Sequence, residues 1–249
     1  MNKNSMYVSL LALAVSAGAV VMATKKCECG AQATATTAAV SEKEISAMLE
    51  KNPQMVVNAL QKFEQQQREA EEREAAKMFL ENIDELHNDP LSPYVGPKDA
   101  KVVLVEFFDF SCGFCKRIAD AMDTVVKNNP DVKVVFKPIT FVSPISKYAA
   151  QAAIAAGNQG KFFDVYKALL KAPGGLDEAK INEIVEKEGV DMVKFKAEVN
   201  SDLVMKVISD TASLGNKTRV SGVPTLVLNG KKLNTIDADG IQAEIDAAK

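Results

Sequence analysis

The residues of this chain best equipped for chemistry are Cys112 and Cys115, separated by Gly113 and Phe114. A thiolate is the nucleophile in disulfide exchange, and a second thiol two residues beyond can resolve the mixed disulfide that forms. The motif lies between a Val-rich, aromatic stretch, Lys101 to Phe108, and a stretch from Gly113 to about Lys127 with helical spacing. A thiol at a strand-to-helix junction faces the free N–H groups and positive dipole end of the helix, which favour the thiolate. Zinc sites use the same Cys-x-x-Cys spacing, but zinc needs four ligands. The other two cysteines, Cys27 and Cys29, stand far away near the N-terminus, and His87 is the single histidine of the chain. No metal is therefore expected here, and a His-based proton relay is excluded.

Two further residues fit a redox reading. Glu106 lies six residues before Cys112, and strand parity puts it on the same face as Phe108 and Phe110. On a central strand that face is dry. A carboxyl beneath a dithiol would then have a raised pKa and could pass a proton to or from Cys115. On an edge strand the same Glu would face water. Val223-Pro224 opens a later strand after Gly222; an X-Pro bond is usually trans, and the two residues alone do not reveal the isomer.

The elements that must position these groups can be read along the 249 residues. With a formal charge of −3, the chain offers no basic field for nucleic acid. Residues 1–23 have the form of a secretory signal: Lys3, an apolar run from Val8, and a small-residue end at Val21-Met22-Ala23. Left uncleaved, the uncharged run from Asn4 to Thr24 would suffice for a membrane anchor, which needs roughly 20 residues. Either outcome exports the remainder to a compartment where disulfides persist, the periplasm being the expected one. Residues 24–40 form an Ala/Thr tether. Ser41-Glu42-Lys43-Glu44 has the form of a capping box, and a fresh helix start at Asn52-Pro53 opens a helix reaching to about His87. Val56, Leu60 and Phe63 make an apolar stripe, followed by a polar middle from Gln65 to Glu74 that cannot lie against a core. Residues 41–90 are thus expected to form a stalk through which copies of the chain associate; the same helix folded back over its own domain is the competing reading, because the apolar stripe is short.

Residues 97–249 are read as an α/β domain of about 150 residues. It has a βαβ unit, a helical insertion over about 143–217, and a closing ββα segment with a hairpin at Asn229-Gly230. At this point a resemblance emerges. Cys112 to Cys115 after Val105-Glu106-Phe107-Phe108-Asp109-Phe110, the helical insertion, and Gly222-Val223-Pro224-Thr225 together resemble the DsbA branch of the thioredoxin fold. The resemblance implies that Cys112 is the attacking cysteine and Cys115 its buried partner. It also implies that Glu106 is the buried acid and Pro224 a cis-proline against the sulfurs, with Gly113, Phe114 and Val223 placed to meet substrate. Leu49-Glu50-Lys51-Asn52-Pro53 and the Gln-rich helix after it resemble relatives with an N-terminal oligomerisation extension, such as the suppressor-of-copper-sensitivity protein C group.

One departure bears on redox character. The strongly oxidising member of the family has a His before its second cysteine, where this chain has Phe114. Without an imidazolium there, the Cys112 thiolate loses one stabilising hydrogen-bond donor, which makes a less oxidising disulfide. Gly-Phe between the cysteines is closer to the isomerase branch, whereas Val223 before the proline is the oxidase-like choice. The expected activity is exchange of thiols and disulfides in other exported proteins, with no organic cofactor and with a membrane redox partner to reset the dithiol. The alternative is a metal-handling or chaperone-like binding protein whose cysteines are not turned over. Cys27 and Cys29 are left as a labile redox pair, a soft-metal ligand such as for Cu(I), or incidental thiols of the tether.

Overall fold

The computed structural model describes residues 41–249. The signal-like segment 1–23, the tether 24–40 and with it Cys27 and Cys29 lie outside the described residues. The chain divides into two compact units between Pro53 and Gln54. The first contains α1 (Glu42–Lys51), capped by a reciprocal pair: the Glu44 N–H donates to Ser41 Oγ at 3.4 Å and the Ser41 N–H donates to Glu44 Oε2 at 2.9 Å. Its apolar residues Ile45, Met48 and Leu49 are exposed.

All of α2 (Pro53–Glu81) but its first residue lies in the second unit; that proline occupies a first-turn position that has no intrahelical N–H partner to lose. Every residue from Gln54 to Glu74 is exposed. Two differences from the sequence expectation follow. The helix does not run unbroken to His87. At Asn82 the side-chain amide donates to the Met78 carbonyl at 2.8 Å and the backbone turns away (φ −114°, ψ 23°), so that a separate short helix α3 (Ile83–His87) begins. Nor does a stalk extend to residue 90. Phe79 (2% exposed) and Leu86 (0%) are buried among Val103, Val105, Phe107, Val135, Leu214 and Val227. The last turns of α2 and all of α3 therefore belong to the domain core, and the compact unit begins well before residue 97.

Five strands form one sheet in the order β1-β3-β2-β4-β5. They are β1 (Tyr94–Val95), β2 (Val103–Phe108), β3 (Lys133–Pro138), β4 (Thr225–Leu228) and β5 (Lys231–Lys232). The short β1 falls in what reads from sequence as linker. β2 and β3 are parallel and joined by α4 (Gly113–Asn128), while β1, β4 and β5 pair antiparallel to their neighbours. The β4–β5 hairpin turns at Asn229 (φ 47°) and Gly230 (φ 86°), the positive angles that Asn-Gly accommodates.

All six residues of β2 are buried. Its alternating side chains serve two layers. Val103, Val105 and Phe107 face α2 and α3, whereas Leu104 and Phe108 join the larger core built with α4, the helical insertion and α10 (Ala238–Ala248). The insertion comprises α5 (Pro144–Gly157), α6 (Phe162–Lys171), α7 (Glu178–Lys187), α8 (Met192–Glu198) and α9 (Asp202–Lys217).

A buried lysine ties α3 to the sheet. Lys137 on β3 is 1% exposed, yet its ammonium donates to the Glu85 carbonyl (2.9 Å), Asp89 Oδ2 (3.1 Å) and Ser92 Oγ (2.8 Å), which uses all three of its donors. Burial pushes its pKa down, and Asp89 opposes that shift. Lys133 adds a bond to the His87 carbonyl at 2.6 Å.

Candidate active site

β2 ends at Phe108, and the chain makes a tight turn before α4 begins. Cys112 is the N-cap of that helix (φ −77°, ψ 123°), and its N–H donates to the Asp109 carbonyl at 3.0 Å. Its thiol is 9% exposed and lies 3.3 Å from the Val223 carbonyl, to which it donates. Val223 is joined to Pro224 by a cis peptide bond. The loop before β4 is thereby brought against the cysteine turn from more than a hundred residues away. Cys115, one turn into α4, is 0% exposed, and both cysteines are free thiols. Burial pushes the Cys115 thiol far up, and the charges of Glu106 and Cys112 add to that shift. The two sulfurs thus occupy unequal environments, one at the helix end near the surface and one in the core.

Glu106 lies in the middle of the sheet, paired with Phe136 of β3 on one side and Leu226 of β4 on the other. It is 0% exposed, so the edge-strand reading is excluded. The Tyr166 hydroxyl on α6 donates to Glu106 Oε2 at 2.7 Å, while Oε1 has no hydrogen-bond partner. Burial pushes the Glu106 pKa from 4.5 up to about 8, against the downward pull of the Tyr166 bond.

Gly113 and Phe114 lie on the outside. Phe114 is 55% exposed with the Arg117 guanidinium 4.1 Å above its ring, while the exposed Gly113 leaves open space where a Cβ would be. Cys112, Cys115, Val223 and Pro224 are therefore assembled in one place, Glu106 reaches the site from below, and Gly113 and Phe114 present its outer surface. Among the described residues no cluster of His, Cys, Asp or Glu could hold a metal ion.

Two groups were not singled out from the sequence. Asp109, 1% exposed, accepts from the Ser111 N–H (2.8 Å) and Ser146 Oγ (2.6 Å) through Oδ1, and from the Val142 N–H (3.0 Å) through Oδ2. It ties the cysteine turn to the loop after β3 and to the start of α5. Its position between two phenylalanines before the motif is a signal, because a short acid there must be paired if its neighbours are buried. Tyr166 gives less warning, since its ring fits the apolar stripe of α6 and only the fold supplies a partner for its hydroxyl.

The decisive comparison concerns residues 88–247, which match the thioredoxin family model. The chain belongs to the thioredoxin family. Among solved thioredoxin-like structures it is similar to the catalytic domain of Proteus mirabilis ScsC, with 27% identity and a TM-score of 0.63 over 70% of this chain and 97% of that one. It is also similar to the thiol-disulfide exchange protein alpha-DsbA2 of Wolbachia pipientis, with 25% identity and a TM-score of 0.67 over 72% and 98%. The thioredoxin-like fold with its helical insertion is thus the DsbA- and ScsC-like one. Among curated proteins it is 31% identical over 139 residues to the Na(+)/H(+) antiporter NhaA 1 of Salinispora arenicola, covering 55% of this chain and 21% of that protein. The chain spans about a fifth of the length of that relative.

The buried carboxyl has a thermodynamic consequence. Because its folded pKa is raised, the native state binds this proton more tightly than the unfolded chain. The resulting stability is complete below pH 4.5 and is lost as pH rises through about 8, by roughly 1.4 kcal/mol per pH unit in between. Glu106→Gln cannot ionise and removes this dependence. Denaturant unfolding of the reduced protein should show the variant gaining on the wild type steadily from pH 5 to pH 8. A difference independent of pH contradicts the assignment.

Proposed function

We propose that this protein is an exported thiol–disulfide oxidoreductase acting on the cysteines of other exported proteins through the Cys112–Cys115 dithiol. The observation that carries the reading is the pairing of one thiol at a helix N-cap, against the Val223 carbonyl, with a second thiol buried one turn later near an enclosed acid. The fold's relatives support oxidoreductase chemistry, and residues 1–23 supply the export signal to the periplasm.

In the oxidising direction a substrate thiolate attacks Cys112 of the Cys112–Cys115 disulfide. A second substrate thiol then displaces Cys112, leaving the substrate oxidised and the enzyme dithiol reduced. In the isomerising direction Cys112 thiolate attacks a wrong substrate disulfide and is released once the substrate rearranges. Val223, Gly113 and Phe114 border the reacting sulfur and are the groups a substrate chain meets. A membrane redox partner resets the dithiol, and no organic cofactor takes part. Val56 (40% exposed), Leu60 (56%) and Phe63 (57%) form one stripe of the exposed part of α2, and a second copy of this chain is the partner proposed to cover it.

Cys112→Ser should abolish activity on reduced and on scrambled substrate protein, and retained activity would leave only a binding role. With Phe114 in place of an imidazolium, the reduction potential of the pair is expected to be well below the strong oxidase's value of about −120 mV, toward thioredoxin's of about −270 mV. A value near −120 mV would establish a dithiol oxidase instead. The association has its own test, made without disturbing the buried end of α2. Light scattering should give a multiple of the chain mass for the mature protein and a monomer for Leu60→Asp with Phe63→Asp, whereas an unchanged subunit number removes α2 from the interface.

A further inference from the structure

Tyr166 reaches Glu106 from the helical insertion, an element separate from the strand and helix that carry the cysteines. Its ring is 0% exposed and held among aromatic neighbours, edge-on to Phe108 (5.0 Å between centroids) and stacked with Phe163 (5.6 Å), with Phe136 at 4.8 Å. The phenol cannot swing away, so its hydroxyl stays aimed at Glu106 Oε2, 2.7 Å distant. It also cannot ionise in the working range, because burial and the Glu106 charge push its pKa well up. Tyr166 is therefore a permanent donor.

A permanent donor sorts the two oxygens of the carboxyl. When Glu106 is ionised, Oε2 accepts the phenol hydrogen and Oε1 carries an open lone pair. When Glu106 is neutral, Oε2 still accepts as the carbonyl oxygen and the acid proton resides on Oε1. Oε1 is buried and has no hydrogen-bond partner, a condition that calls for an explanation in a folded protein. A proton that comes and goes supplies one. The titratable groups close enough to couple with Glu106 are Cys115 on α4, whose thiol its charge pushes up, and Tyr166 on α6. From β4 the paired residue is Leu226, and on β3 the nearby Lys137 is engaged with Asp89 on the other side of the sheet.

We propose that Tyr166 is a positioning residue for thiol exchange: by holding Oε2 as an acceptor, it makes Oε1 the single oxygen of Glu106 that gives a proton to Cys115 or takes one from it. The proposal rests on the exchange reading given above. In the resolving step the Cys115 thiol passes its proton to Oε1. Its sulfur attacks Cys112 Sγ, and the Cys112–Cys115 bond forms as the Cys112–substrate S–S bond breaks. The departing substrate thiolate then takes up a proton, so the substrate sulfur is reduced by the two electrons that the cysteine pair has lost.

The test uses the reduced mature protein and glutathione disulfide, following formation of the mixed disulfide at Cys112 and its resolution between pH 5 and pH 10. In Tyr166→Phe, which deletes one oxygen from a packed ring, the ionised carboxyl loses its only donor. The midpoint of the resolution profile should rise by about one pH unit. Glu106→Gln should flatten the inflection, and adding Tyr166→Phe to it should move the profile no further. A purely structural Tyr166 would lower the melting temperature in both backgrounds and leave the midpoint in place. The proposal is overturned if the Tyr166→Phe midpoint coincides with that of the wild type, or if the shift persists in the Glu106→Gln background. If the wild type forms no mixed disulfide, the exchange reading falls and the role of Tyr166 with it. Formation of the mixed disulfide by the wild type with coincident midpoints removes Tyr166 alone.

Discussion

A central strand buried on both faces leaves a carboxyl in its middle no route to water. Glu106 occupies that position on β2, hemmed in by Phe136 and Leu226 in the sheet. Its protonation is therefore governed by what the core provides, a phenol on one oxygen and nothing on the other. The same strand sets the depth of the two thiols. It ends four residues before the N-cap of α4, so Cys112 falls at the helix end and Cys115 turns back into the core. An exposed β2 would lose both effects at once, since the acid would be an ordinary surface Glu and the second thiol would have no dry environment in which to differ from the first.

Keeping β2 central requires cover on both faces of the sheet. One cover is the helical insertion with α4 and α10; the other is supplied by Phe79 and Leu86 from the N-terminal helices. The second arrangement is secured by Lys137, whose buried ammonium is fully hydrogen-bonded to Glu85, Asp89 and Ser92. A buried charge without such partners would cost several kcal/mol, so this lysine specifies where the chain following α3 must lie. The helix that carries the exposed stripe Val56, Leu60 and Phe63 is thus rooted in the core on the face of β2 opposite Glu106.

The parts of this arrangement that repeat locally were legible in the sequence. The Ser41–Glu44 cap, the β2–α4–β3 unit and the Asn229-Gly230 turn all follow from spacing and turn chemistry, and parity gave the face of Glu106, though only the pairing of β2 on both sides made that face dry. Features that depend on distant pairing were not. The break at Asn82 is made by a side chain competing for a backbone carbonyl, and the docking of Phe79 depends on a sheet face assembled from residues beyond 100. Tyr166 reads from the sequence as one more aromatic on a helix stripe, because its acceptor is sixty residues away. Asp109 was visible within the motif but had no partner until Val142 and Ser146 were brought to it.

This framework makes two chemically identical residues unequal, and the inequality can be read directly. Reduced native protein, treated with a limiting thiol alkylating reagent at neutral pH and followed by peptide mass spectrometry, reports the two rates separately. Cys112 should be modified at least tenfold faster than Cys115, with the difference vanishing in denaturant. Equal rates in the native protein, or faster modification of Cys115, would contradict the account.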